Sequence, residues 1–166
     1  MKKLILMLML FAPMTMFAQK FGHVDAQAVM QSLPEFAKVR GELEAQAKQY
    51  ENDLMAMQTE IQNKMKDYET QKPTMNTTKQ QETEAQIQAM MEKFEQARND
   101  NAQAFQKAQQ EKMQPITTKV INAIKAVGKN GGYVYIMDVS AGIPYISDTL
   151  SKDVTNEIKA EINKMK

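Results

Sequence analysis

The sequence predicts an α+β protein: a small β body carrying a long, inserted α-helical coiled-coil hairpin. Three observations lead there. From Leu33 to Val127 the chain is rich in Gln, Lys, Glu, Ala and Met, contains a single glycine, Gly41, and repeats large apolar residues at three- and four-residue steps. One clear interruption, Lys72-Pro73-Thr74, falls near the middle of that stretch. Short segments dense in β-branched and aromatic residues lie before and after it.

The chain begins with Lys2-Lys3, an unbroken apolar run from Leu4 to Phe11, and then Phe17-Ala18-Gln19. This pattern predicts a cleavable secretory signal over residues 1–18, cut after Ala18. The apolar run is shorter than the roughly 20 residues a spanning helix needs. The sequence has no cysteine. An exported fold must therefore hold together without disulfides, and thiol chemistry and zinc–thiolate sites are excluded. Without Lys2 and Lys3 the 21 basic residues fall to 19 against 20 acidic ones, a net charge of −1. Nucleic acid calls for a basic surface, and this balance provides no global one.

Phe21, His23 and Asp25 alternate with Gly22 and Val24, the period of a short strand. Asp25 is placed to cap the short helix that follows by accepting a first-turn N–H. Ser32 stands three residues before Glu35, the spacing of a capping box, and Pro34 suits a first helical turn. A long helix is expected from Leu33. Phe36, Leu43, Tyr50 and Met57 form one seven-residue series along it. Leu33, Arg40, Ala47, Leu54, Ile61 and Tyr68 form the other, and the seam slips at Lys64, where Met65 takes over.

Pro73 and the small polar residues around it predict a tip near residues 70–80. The stretch from Lys72 to Glu84 holds little beyond Met75 to bury and is expected to be mobile. The return helix carries Ile87, Met91, Phe94, Arg98, Ala102, Phe105 and Ala108, then Met113, Ile116, Val120, Ile124 and Val127. Pro115 should kink or restart it, and Gly128 should end it. Tyr133 to Val139 reads as a strand, and Ile143-Pro144-Tyr145-Ile146 as a second, edge-type strand. Asp153 or Thr155 should cap a terminal helix containing Ile158 and Ile162.

The expected organisation is a signal at 1–18 and one mature domain at 19–166. Its body comprises 19–32 and 128–166, and its hairpin arm 33–127. Three short strands and two short helices are a poor core for a monomer, so several copies are expected to share the body. Phe21, Val24, Val134, Ile136, Val139, Ile143, Tyr145 and Ile146 are the candidate oligomerisation residues. No catalytic, cofactor or metal constellation is present. His23, the sole histidine, reads as a strand residue, and pairs such as Glu42/Glu44 lie on different helix faces. Ten methionines remain after the signal, seven of them on the hairpin. Methionine packs against many shapes. Met55 and Met90, beside the seam, with Met75, Phe94 and Phe105, are the candidate contacts for a partner.

Phe21-Gly22-His23-Val24-Asp25, Val29-Met30-Gln31-Ser32-Leu33-Pro34-Glu35-Phe36, the hairpin, Tyr133-Val134-Tyr135-Ile136-Met137-Asp138 and Asp153-Val154-Thr155-Asn156-Glu157-Ile158 together resemble the Skp/OmpH family of periplasmic chaperones. The resemblance covers nearly all of the mature chain. It implies a homotrimer whose strands pool into a β-barrel-like body, with three arms around a cavity. It implies an ATP-independent holdase that keeps unfolded outer-membrane proteins from aggregating in the periplasm. No cofactor is expected, and transient contact with the membrane surface is an expected further interaction. Better-known members are strongly basic and some bind lipopolysaccharide. This chain is near neutral, so its attraction of clients should be less electrostatic. The rival reading is a structural coiled-coil spacer of the envelope, which calls for a strict seam and a rigid tip.

Overall fold

A computed structural model describes residues 19–165; the expected signal at 1–18 lies outside them. In chain order the elements are β1 (Lys20–Val24), α1 (Ala26–Gln31), α2 (Pro34–Gln71), a 3-10 turn (Lys72–Thr74), α3 (Thr77–Gly131), β2 (Tyr133–Asp138), β3 (Ser151–Asp153) and α4 (Thr155–Ile162). Two compact units divide the chain. One joins the N-terminal residues through Ala28 to Asn122–Lys166, and the other is Val29–Ile121.

The first unit holds a three-stranded sheet of order β2-β1-β3 with β1 central. Both pairings are parallel. Parallel neighbours need a long crossover, and between β1 and β2 that crossover is the whole hairpin. Phe21 pairs with Tyr135 on one side and Ser151 on the other. The pairing continues past the strand ends, where Val139 donates its N–H to the Val24 carbonyl and Val154 to that of His23, each at 2.9 Å. Lys20 Nζ donates to the Gly131 carbonyl at 3.1 Å. The buried apolar side chains of this unit are Val24, Ala26, Ala123, Val154, Ile158 and Ile162. Gly22 permits close packing, since a Cβ there would lie 3.2 Å from the Tyr133 ring.

Several sequence expectations need correction here. Residues 143–146 form no strand; the third strand is Ser151–Asp153. Its sequence, Ser-Lys-Asp, has no apolar alternation, because an edge strand this short is held by backbone pairing to β1. Helix α3 does not restart at Pro115 and runs past Gly128 to Gly131. Gly132, at φ 68°, makes the left-handed exit. Asp25 does cap α1, its carboxylate accepting the Ala28 N–H at 2.8 Å. The Ser32 capping box does not form. Ser32 Oγ donates back to the Val29 carbonyl at 2.7 Å, closing α1, and Leu33 sits at the start of α2 without a side-chain cap.

The second unit contains the helical hairpin. Helix α2 has 38 residues, roughly 57 Å at about 1.5 Å per residue. Two ion pairs join the helices, Lys112 to Glu42 at 2.6 Å and Lys119 to Glu35 at 2.8 Å. Hydrogen bonds from these ammonium groups hold the Glu42 and Glu35 carboxyls below the usual carboxylate range. Along α2 the residues turned from solvent are Phe36, Val39, Leu43, Gln46, Tyr50, Leu54, Met57, Ile61, Lys64 and Tyr68. Val39 and Gln46 thus fill slots expected for Arg40 and Ala47, which are exposed, and Lys64 stays in the seam while Met65 is exposed.

The seam steps alternate between three and four except at Gln46–Tyr50–Leu54, where two steps of four follow each other. On α3 the inward series Ile87, Met90, Phe94, Ala97, Asn101, Phe105 and Ala108 shows the same doubling at Ala97–Asn101–Phe105. Such a stutter locally unwinds a coiled coil. The cross-helix ion pairs put Glu42 opposite Lys112, so the two stutters face each other. Asn101 is the polar residue at the centre of the α3 stutter, and a polar seam residue costs stability. Asn101→Leu should therefore raise the thermal midpoint of the arm by a few degrees, on the order of 1 kcal/mol, read by helix ellipticity on heating.

Candidate functional site

Two surfaces of this molecule could hold another polypeptide. The first is in the sheet unit. Phe21 and Tyr135, paired across β1 and β2, bring their rings to 4.9 Å between centroids with a 31° tilt. They border a groove of about 340 Å³ shared with Met137, Tyr145, Ile146 and Leu150. Tyr145 is 79% exposed and Leu150 74%, and Val134, Tyr135 and Met137 are also exposed. A group of large apolar side chains this open usually marks an interaction surface. β2 and β3 lie at the two edges of the sheet, and unpaired edges are templates for further pairing.

Of the body candidates, the structure brings Phe21, Tyr145 and Ile146 to this groove. Val134 is exposed, and Ile136, Val139 and Ile143 are half-buried. Val24 is completely buried and belongs to the unit's core. Sequence reasoning missed Tyr135, Met137 and Leu150. Met137 was legible as an outward position of β2, whereas Leu150 lies in an irregular segment that no period describes.

His23 also lines the groove, with Nδ1 2.9 Å from Ser151 Oγ. The pair lacks the geometry of a nucleophile–base couple. In a catalytic triad the nucleophile meets Nε2 and a carboxylate holds Nδ1; here the serine occupies Nδ1. The nearby Asp153 carboxylate is engaged by the Thr155 hydroxyl and N–H, the latter at 2.9 Å, which hold it below the usual range. Burial pushes the Asp138 carboxyl up, but N–H bonds from Ser140 and Ala26 outweigh it and hold the group low. Both carboxylates fasten the sheet to its flanking segments. Among the described residues no group of three or more His, Asp or Glu side chains could hold a metal ion, and no helix is long and apolar enough to cross a membrane.

The second surface is the arm. Met55, Met65 and Met91 are exposed there. Met90 is half-buried on the seam, so the expectation for the neighbours Met90 and Met91 is reversed. The cause is the run of three- and four-residue steps, which a single period count from Ile87 cannot resolve. Phe94, Phe105 and Met75 are half-buried. At the paired stutter a groove of about 540 Å³ opens between the helices, lined by Tyr50, Leu54, Met55, Ala102 and Phe105, with Arg98 and Glu51 among its polar residues.

The tip differs from the soft polar loop the sequence suggested. Tyr68 is buried and donates a hydrogen bond to Glu84, which raises the phenol's pKa, with burial acting in the same direction. Lys72 Nζ stands 5.1 Å above the Tyr68 ring and 3.7 Å from Glu84. Gln80 Nε2 donates to the carbonyls of Lys72 and Met75 at 3.2 and 3.1 Å. Asn76 Oδ1 accepts the Lys79 N–H at 2.8 Å, starting α3. The two helix ends are thus joined by a dense polar latch around one aromatic ring.

Comparison with known proteins matches residues 20–162 to the family described as Outer membrane protein (OmpH-like). The Chaperone protein Skp of Yersinia enterocolitica is 28% identical over 159 residues, covering 93% of each chain. That of Pectobacterium atrosepticum is 27% identical over 149 residues, covering 87% of this chain and 86% of the other. A solved OmpH-like chain from Caulobacter crescentus CB15 superposes with a TM-score of 0.75 at 14% identity, over 89% of this chain and 86% of that one. The last likeness establishes the fold: a long helical hairpin with a small three-stranded sheet.

Proposed function

The chain belongs to the OmpH-like family, and from that premise we propose that it is an ATP-independent holdase of the periplasm. It binds unfolded outer-membrane proteins and keeps them from aggregating. The observation that carries this reading is the character of the arm. Over a neutral, polar hairpin, large flexible apolar side chains such as Met55, Met65 and Met91 stand exposed without forming a packed partner surface. Many weak contacts of that kind tolerate many sequences. Release follows when the client's own folding buries the same apolar surface more favourably.

Three copies are the assembly this reading calls for. The open sheet edges and the apolar groove around Phe21, Tyr135 and Tyr145 supply a surface that copies can share. Neither nucleic acid nor a cofactor enters the mechanism, and no reaction is catalysed. Transient contact with the membrane surface accompanies delivery. Export rests on the segment at 1–18, and N-terminal sequencing of the mature protein from a periplasmic extract checks it. A spacer would need a strict seam, which the facing stutters deny.

The deciding experiment dilutes a denatured outer-membrane protein into buffer and follows light scattering, with the chaperone's mass measured in parallel. The wild-type chain should suppress scattering as a trimer. Removing Lys66 to Gln86 and closing the arms with a short turn should weaken suppression severalfold while the trimer persists. Full suppression by that shortened chain would refute a role for the arm tips.

A further inference from the structure

The arm's contacts are not all equivalent, and the difference follows from its seam. Where the two stutters face each other, the layer between Gln46 and Leu54 on α2 and between Ala97 and Phe105 on α3 is incompletely filled. The groove that results is lined more by apolar than by polar side chains. Two further grooves among the described residues are more polar, one bordered by Asn63, Lys64, Asp67 and Lys93 beside Met90, the other by Gln103, Gln106, Lys107 and Gln110 beside Met113.

We propose that the mid-arm groove is a discrete subsite for uncharged, aromatic-bearing segments of unfolded chains. The proposal rests on the holdase reading and specifies which part of a client is held, and where. Tyr50 and Phe105 present ring surface to an incoming side chain. Met55, 59% exposed, adapts its flexible thioether to whatever ring arrives. Arg98 carries a planar guanidinium over which an aromatic ring can lie, and Glu95, 3.4 Å away, compensates its charge. A client carboxylate therefore gains little there and would lose its hydration against the apolar wall.

The groove's dimensions fit the same occupant. About 540 Å³ lies within the range of small-ligand pockets and exceeds a single side chain. Same-face residues of an extended strand stand about 6.6 Å apart, so two of them can enter together while the alternate, polar residues face water. Membrane-spanning β-strands have that alternation, with an uncharged outward face and aromatic residues at its ends. The groove's neutrality and apolar wall match that face of the strand before it folds.

The test uses the full chain in its native assembly and a short fluorescent peptide in which Tyr, Phe and Leu alternate with Ser and Thr. Ala102→Phe fills the groove from an exposed helix position, and Ala56→Phe, on the exposed surface outside it, is the control. Ala102→Phe should weaken peptide binding about tenfold, with unchanged helix content and assembly mass, and Ala56→Phe less than about twofold. A peptide with Asp in place of Ser should bind at least about tenfold more weakly to the wild type. Wild-type affinity in Ala102→Phe, or equal binding of the Asp peptide, would overturn the proposal. So would a groove taken by the arm of another copy, seen as wild-type self-association that Ala102→Phe abolishes. Failure of the wild-type chain to suppress client aggregation would instead remove the holdase reading itself.

Discussion

Ile158→Ala should cost the sheet unit about 2–5 kcal/mol and abolish assembly near physiological temperature. Ile158 is completely buried, one of only a few large side chains in that state. The short helix α4 contributes Ile158 and Ile162 to the core, and its first turn is tied to β1 by the bond from the Asp25 N–H to Thr155 Oγ1 at 3.1 Å. Small folds are marginal, so a cavity of this size removes much of the reserve. The expected result is a chain whose near-ultraviolet signal from the body's tyrosines is lost, whose mass falls to that of a monomer, and whose far-ultraviolet helicity is largely kept by the arm. Retention of the oligomer, with only a slight drop in thermal midpoint, would count against the body as the assembly unit.

Tyr68→Ala should open the tip. The ring sits buried where the two helices end, under the Lys72 ammonium, with its hydroxyl on Glu84. Its removal deprives Lys72 and Glu84 of a shared partner. Cleavage between Pro73 and Thr78 by a protease of broad specificity under native conditions should accelerate roughly tenfold, since proteolysis follows the population of the open form. Tyr68→Phe keeps the packing and loses only the hydroxyl, so it should fall between. Cleavage at the wild-type rate in Tyr68→Ala would mean that the Gln80 and Asn76 bonds hold the turn alone.

The hairpin was legible because helical periodicity over so long a stretch is a strong signal, and the break at Pro73 needs only the missing N–H of proline. β1, β2 and the Asp25 cap were legible from alternation and capping chemistry for the same reason: each is set locally. What escaped depends on partners distant in the chain. Ser151–Asp153 is a strand only because β1 lies beside it. Val39, Gln46, Ala97 and Asn101 hold seam positions that their polarity or size conceals, and a heptad count anchored on larger neighbours passes over them. Tyr68 appeared in that count as one more apolar step, and nothing nearby announced that Glu84 and Lys72 would converge on it. The apolar groove at mid-arm was invisible for the same reason, since it exists only where two separate irregularities meet.

The sheet also sets the order in which this molecule can be completed. Its middle strand precedes the hairpin in the chain, and both neighbours follow it. β1 therefore has no partner until almost the whole chain is present. The hairpin, by contrast, can zip from its tip with each new turn, joining residues at steadily growing separation and avoiding one large loop closure. While the chain is incomplete the arms can form as β1 waits with its edges bare. The segment most prone to pair wrongly is thus exposed longest, and it is kept short at five residues, with Gly22 at its centre. On the holdase reading, a protein that keeps others from aggregating first passes through that hazard itself.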